Sequence, residues 1–187
     1  MSNISQALAT IRPGVSHAVL TGINVQEAQA KWPDAVIVDC GDCLVRFDDV
    51  PQGFVAPTEE DISAAVARIA KREAAAAAFA AAIAAGVTHA GKTFQIDDAS
   101  QGRIGAEASR AAYAILGVPG IVWEPGTVFI AMNNEQVPFT AAEFLAMAQA
   151  ASNRVRAIRL NYRDMKDAID AAPDVAAVEA IDTGAGW

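Results

Sequence analysis

Cysteine and histidine are scarce, at two of each in 187 residues. Cys40 and Cys43 form the only Cys-x-x-Cys, so a zinc site would have to draw its other ligands from His17 and His89, with no second cysteine pair to complete a usual module. Aromatic residues make up 6% of the chain, and alanine supplies much of a 53% hydrophobic content. Alanine packs closely but buries little area, so stability is expected from long helices in close contact rather than from an aromatic core. No apolar run approaches the roughly 20 residues that span a bilayer. The opening MSNISQALATIRPG has neither the basic nor the apolar block of a signal peptide. Positive charge is in the minority, with 14 Lys and Arg against 22 Asp and Glu, and the net −8 argues against nucleic acid or an anionic membrane as partner. A protein made in a reducing cytoplasm, with free thiols, is the expectation.

The cysteine pair has a structural explanation. Val36 to Cys40 runs into Gly41-Asp42, and Cys43 to Phe47 runs out, which reads as a hairpin on a two-residue loop that begins with glycine. That register sets Cys40 opposite Cys43, Val38 opposite Val45 and Val36 opposite Phe47, with both cysteines on the apolar face. A thioredoxin-type pair would instead place its first cysteine at a helix N-terminus, where the dipole lowers the thiol pKa. Cys40 and Cys43 are therefore expected as small core hydrophobes.

Along the chain, Ile4, Leu8 and Ile11 mark a short helix stopped at Pro13-Gly14, and Val19-Leu20 begins a small strand unit. Residues 1–50 read as a small N-terminal α/β unit with the hairpin over 36–47, residues 51–57 as a linker, and residues 58–187 as a helical domain with small β-meanders. Thr58-Glu59-Glu60-Asp61 opens a helix to Ala85, with Ile62, Val66, Ile69, Ala76, Ala80 and Ile83 as its stripe. Short strands follow around Ala90-Gly91, and one of Asp97, Asp98 or Ser100 caps a helix ending at Leu116-Gly117, with Ile104, Ala108, Ala112 and Ile115 inward. A meander over 121–139 places Trp123 and Phe129 against the helices. Thr140-Ala141-Ala142-Glu143 then opens a helix running to about Ala172.

On that last helix Phe144, Ala148, Ala151, Val155, Ile158, Tyr162, Met165 and Ile169 recur by fours and threes. A 3.5-residue period keeps one seam against another helix. The seam packs either in cis on the helix after Thr58 or against other chains, and Phe144, Val155, Ile158, Tyr162, Met165 and Ile169 are the candidate interaction residues. Arg154, Arg156, Arg159, Arg163 and Lys166 on the same helix are interleaved with Asp164, Asp167 and Asp170, the pattern of a solvated face. The fold class expected is α+β: long alanine-rich helices packed as a hairpin or coiled coil, with small β-hairpins or meanders.

Several short pieces carry a family resemblance. They are Gly91-Lys92-Thr93-Phe94-Gln95 with Asp97, Ser100, Arg103 and Ile104; Trp123; Phe139 to Phe144; Met165 to Ile169; and Glu179 to Asp182 before Ala185-Gly186-Trp187. In this order, residues 87–187 resemble a domain of unknown function that recurs in tail and tail-fibre proteins of tailed bacteriophages. The opening, through Ile11-Arg12-Pro13-Gly14, Val19-Leu20, Trp32 and Pro57 to Glu60, is similar to small phage tail proteins. Asn153 stands where relatives often carry a histidine, and Trp123 is followed by Glu-Pro-Gly rather than a more polar run. The family supplies no catalytic residues to carry over.

The resemblance implies a non-enzymatic component of the virion tail, made in the bacterial host cytoplasm and associated with a tail-fibre or baseplate protein of the same phage. It calls for no cofactor, metal, nucleic acid or membrane, and leaves self-association open. A tail-fibre assembly chaperone is the alternative. A cell-envelope hydrolase is the third reading, and it would need a nucleophile with its base in one pocket. Ser100 has no recognisable histidine partner, with His89 across a short hairpin, and one of Asp97 and Asp98 is accounted for as a cap.

Overall fold

A computed structural model describes residues 3–12, 15–40, 43–48, 50 and 54–187. It is of α+β class, with small antiparallel sheets set among helices. Contacts divide the chain into two compact units, one of Met1–Ala75 with Met165–Thr183 and one of Ala76–Asp164 with Gly184–Trp187.

The first unit begins with α1 (Asn3–Ile11), β1 (His17–Leu20), α2 (Val25–Lys31), β2 (Val36–Asp39) and β3 (Leu44–Phe47). The strands form one antiparallel sheet with β3 in the centre. Val36 pairs with Phe47 and Val38 with Val45, the register expected from the hairpin, and the Cys40 N–H donates to the Cys43 carbonyl at 2.9 Å. The Gly41-Asp42 turn itself lies outside the described residues. Leu8, Val45, Phe47 and Ile62 form the core, with Cys40 packed at its side. Helix α2 was not anticipated, although its signal was present: Asn24 accepts from the Glu27 N–H at 2.9 Å, and the Glu27 carboxylate reaches back to the Asn24 N–H. Trp32, just beyond α2, stacks beneath the Arg46 guanidinium.

Helices α3 (Glu59–Ala84) and α5 (Ala141–Ala171) supply residues to both units, and α6 (Val175–Glu179) closes the first. Thr58 caps α3 as its sequence predicts, its N–H and hydroxyl both donating to Asp61 at 2.9 Å. Arg68 donates to the Ala172 carbonyl at 2.7 Å, and Lys71 to the carbonyls of Glu179 and Ile181. Cations of α3 thus satisfy carbonyls that the ends of α5 and α6 leave without helical partners. The stretch expected as a linker over 51–57 does not separate units in this way. Residues 51–53 lie outside the described residues, but Phe54 packs on Phe47 with ring centroids 5.3 Å apart, Arg12 donates to the Val55 carbonyl, and Pro57 is buried.

The second unit holds β4 (Val87–His89), β5 (Lys92–Phe94), α4 (Asp98–Ile115), β6 (Val128–Ile130) and β7 (Gln136–Pro138). Strands β4 and β5 pair around Ala90 and Gly91, both at positive φ, which suits a two-residue hairpin turn. Only two strands form over 121–139. Residues 121–123 are not a strand, and the three-strand meander is corrected to the β6–β7 hairpin. The core also departs from expectation, because Phe94, Phe129, Phe139, Phe144 and Trp123 meet as neighbouring rings, with centroids 5.4–6.1 Å apart. Five of the chain's twelve Phe, Trp and Tyr residues are thus gathered in one core.

Two helix faces shift as well. On α3, Ala75 and Ala82 are buried while Ala76 and Ala80 are exposed. On α4, Ile104 and Ala111 face inward while Ile115 is 55% exposed. Where nearly every candidate position is alanine, periodicity cannot choose between adjacent faces.

Candidate functional site

Helices α4 and α5 build a concave surface between them, and both are fixed at their N-termini by side chains. On α4, Asp97 accepts the Ser100 N–H at 2.8 Å. This bond holds the Asp97 carboxyl below the usual carboxylate range. On α5, the Thr140 N–H and hydroxyl donate to Glu143 at 2.8 Å, and the Glu143 N–H donates back at 3.3 Å. The Thr140 bonds likewise lower the Glu143 pKa.

Between α4 and α5 lies a cavity of about 740 Å³. Its floor is apolar and mostly small, with Ile104, Gly105, Ala108, Ala148 and Val155, and its edge on α5 carries Arg156, Arg159 and Arg163. The α5 positions facing it include 145, 149, 152, 156, 159 and 163. These repeat by fours and threes, the same period as the seam read from sequence but shifted by one residue. From 145 to 163 the groove follows about 27 Å of helix. Arg159 approaches Gln101 at 3.3 Å and Asp98 at 3.7 Å, and Leu160 is 49% exposed beside it.

The seam residues themselves lie inside the chain's own cores. Phe144, Val155 and Ile158 are buried in the second unit, where Tyr162 is half-buried against Phe79 with ring centroids 4.8 Å apart. Met165 and Ile169 are buried in the first unit. A partner using these side chains would have to displace native packing, so the accessible strip of α5 is its neighbour. The period was legible in the sequence, but the arginines on the shifted strip were read only as a solvated face.

The remaining candidates have structural surroundings. Ser100 is buried at 1% exposure, and its hydroxyl accepts from Arg103 at 3.0 Å. Cys40 and Cys43 are thiols not joined in a disulfide, Cys43 buried and Cys40 half-buried. Burial, with Cys43 next to it, pushes the Cys40 thiol up to about 11. Trp123 is half-buried, its ring 5.4 Å from that of Phe144. Among the described residues, no three His, Cys, Asp or Glu side chains gather as a metal site, and no helix is long and apolar enough to cross a membrane.

Neither a curated protein nor a solved structure matches the chain. A family model does, over residues 66–184, which takes in most of α3, the whole groove and all of α5. On that match, which covers more than half of its length, the chain belongs to the family described as Domain of unknown function (DUF4376).

Proposed function

We propose that this protein is a non-enzymatic component of a bacteriophage tail, attached to the tail fibre or baseplate. The reading rests on the resemblance of residues 87–187, and of the opening through Pro57 to Glu60, to phage tail and tail-fibre proteins. The observation that carries it on the structural side is the groove between α4 and α5. An apolar floor of small side chains lets another backbone approach closely, and a row of arginines on an otherwise acidic chain favours a partner bearing carboxylates. A helix from the fibre or baseplate protein, with an apolar stripe flanked by Asp or Glu, has the shape and charge to lie there.

Purified phage particles test the proposal directly. The protein should be present in the virion at a fixed ratio to the fibre, and Arg156→Glu with Arg159→Glu should remove it from particles without unfolding it. Binding to the fibre during assembly followed by absence from finished particles would replace this reading with that of an assembly chaperone. Absence from particles together with no association with the fibre would overturn both.

A further inference from the structure

The other side of α4 carries a second surface. Strand β6 pairs with β7 through alternate residues: the Thr127 carbonyl accepts the Phe139 N–H, and the Ala131 N–H donates to the Glu135 carbonyl, both at 2.9 Å. Residues 127, 129 and 131 therefore turn their main-chain groups toward β7, and Val128 and Ile130 turn theirs outward. Met132, next in that series, donates outward to the Thr93 carbonyl of β5 at 2.8 Å. Beyond that single bond the edge is open, and the N–H and C=O groups of Val128 and Ile130 have no protein partner among the described residues. The opposite edge, on β7, is blunted by Pro138, which has no N–H to offer.

The open edge borders a cleft. Cavities of about 360 Å³ and 380 Å³ both lie between α4 and β6 and share Arg103, Val128 and Phe129. A third, of about 540 Å³, continues from them through Ala106 and Arg110 to Tyr113 and Val122. From Ser100 to Tyr113 the cleft follows about 20 Å of α4, the reach of roughly six residues of extended chain. Its surroundings are apolar. Of the eleven exposed large hydrophobic side chains among the described residues, five line it: Tyr113, Val122, Val128 at 43%, Ile130 at 49% and Met132. On the α4 wall Arg103 is exposed, and Arg110 is held by Glu107 and the Val122 carbonyl.

We infer that this cleft receives an extended segment of a partner protein, which adds as a third strand to the outer edge of β6. Main-chain bonds to Val128 and Ile130 set its register, alternate aliphatic side chains cover those two residues, and a carboxylate meets Arg103. The site is separate from the α4–α5 groove and does not depend on the tail assignment.

A displayed library of random nine-residue peptides, selected on the full-length protein, tests this. Val128 and Ile130 are exposed, so the double change V128K/I130K introduces edge charges with little effect on folding, which circular dichroism checks. Selected peptides should show alternating aliphatic residues and an Asp or Glu. They should lose at least tenfold in affinity on V128K/I130K and several-fold on R103A, and should slow amide exchange at Val128 and Ile130. Failure to enrich any peptide on the native protein over V128K/I130K overturns the inference. So do peptides that leave those two amides exchanging as before, or that protect residues 145–163 instead. A concentration-dependent dimer abolished by V128K/I130K would put a second copy on the edge and overturn it too.

Discussion

The Trp123 indole donates a 2.8 Å hydrogen bond to the main-chain carbonyl of Phe139, directly before the cap of α5. This bond ties the loop after α4 to the start of the longest helix, while the ring fills the space beside Phe144. Trp123→Phe keeps most of the ring contact and removes the donor, so it should lower stability by about 1 kcal/mol, the usual worth of such a bond. Trp123→Ala should cost more, but less than the roughly 3–5 kcal/mol of a fully buried aromatic, since the ring is only half-buried. Chemical denaturation of the two variants gives both values, and a neutral Trp123→Phe would mean the bond contributes nothing.

Ile158 and Leu160 stand two residues apart on α5 with opposite surroundings. Ile158 is 1% exposed in the core of the second unit, and Leu160 is 49% exposed at the groove. Ile158→Ala should destabilise by about 2–5 kcal/mol, and Ile158→Asn by at least as much, because it buries an amide as well. Leu160→Asn should stay within about 0.5 kcal/mol. Equal sensitivity at the two positions would contradict the facing of the helix.

That contrast also shows what the sequence could reveal. Rules resting on two or three neighbouring residues worked: Thr58 with Asp61, Thr140 with Glu143, the Ala90-Gly91 turn and the hairpin register all formed as read. The period on α5 located its buried face because Phe144, Val155, Ile158 and Ile169 are large. On α3 the same reasoning drifted by one residue, since alanine at 74–78 and 80–82 marks no face. The division into units was not legible, because it depends on residues 165–183 joining residues 1–75, a contact across more than a hundred residues that no local pattern encodes. The α4–α5 groove and the open β6 edge were missed for a related reason: each is defined by what does not pack against it.

The Cys40 thiol should be slow to react. Its pKa rises from 9.0 to about 11 through burial, with Cys43, Glu59 and Asp39 adding in that order. At pH 8, iodoacetamide should modify the native protein far more slowly than the unfolded chain, since the thiolate is the nucleophile. A thiol with a raised folded-state pKa contributes full stability below the unfolded value and loses it as pH climbs toward the folded one. Stability should therefore decline between pH 9 and 11, and Cys40→Ala should flatten that decline. Equal alkylation rates in native and unfolded protein would sink this account.

Gly86 and Gly91 separate backbone strain from steric clash. Both adopt left-handed φ, at +75° and +76°. Gly91 sits at the tip of the β4–β5 turn, where a Cβ would meet nothing within 4 Å. Gly86 is buried where α3 ends, and a Cβ there would run into the Phe94 carbonyl oxygen and come within 2.9 Å of the Met132 sulfur. Alanine at either position pays about 1–2 kcal/mol for the conformation. At Gly86 it must also push the β5 backbone away, and main chain cannot rotate aside as a side-chain tip does, so overpacking of about 1–3 kcal/mol adds to it. Denaturation should thus find Gly86→Ala clearly less stable than Gly91→Ala. If the two fall together, the close approach of β5 to the end of α3 is looser than these distances imply, and the packing of the second unit would have to be redrawn around it.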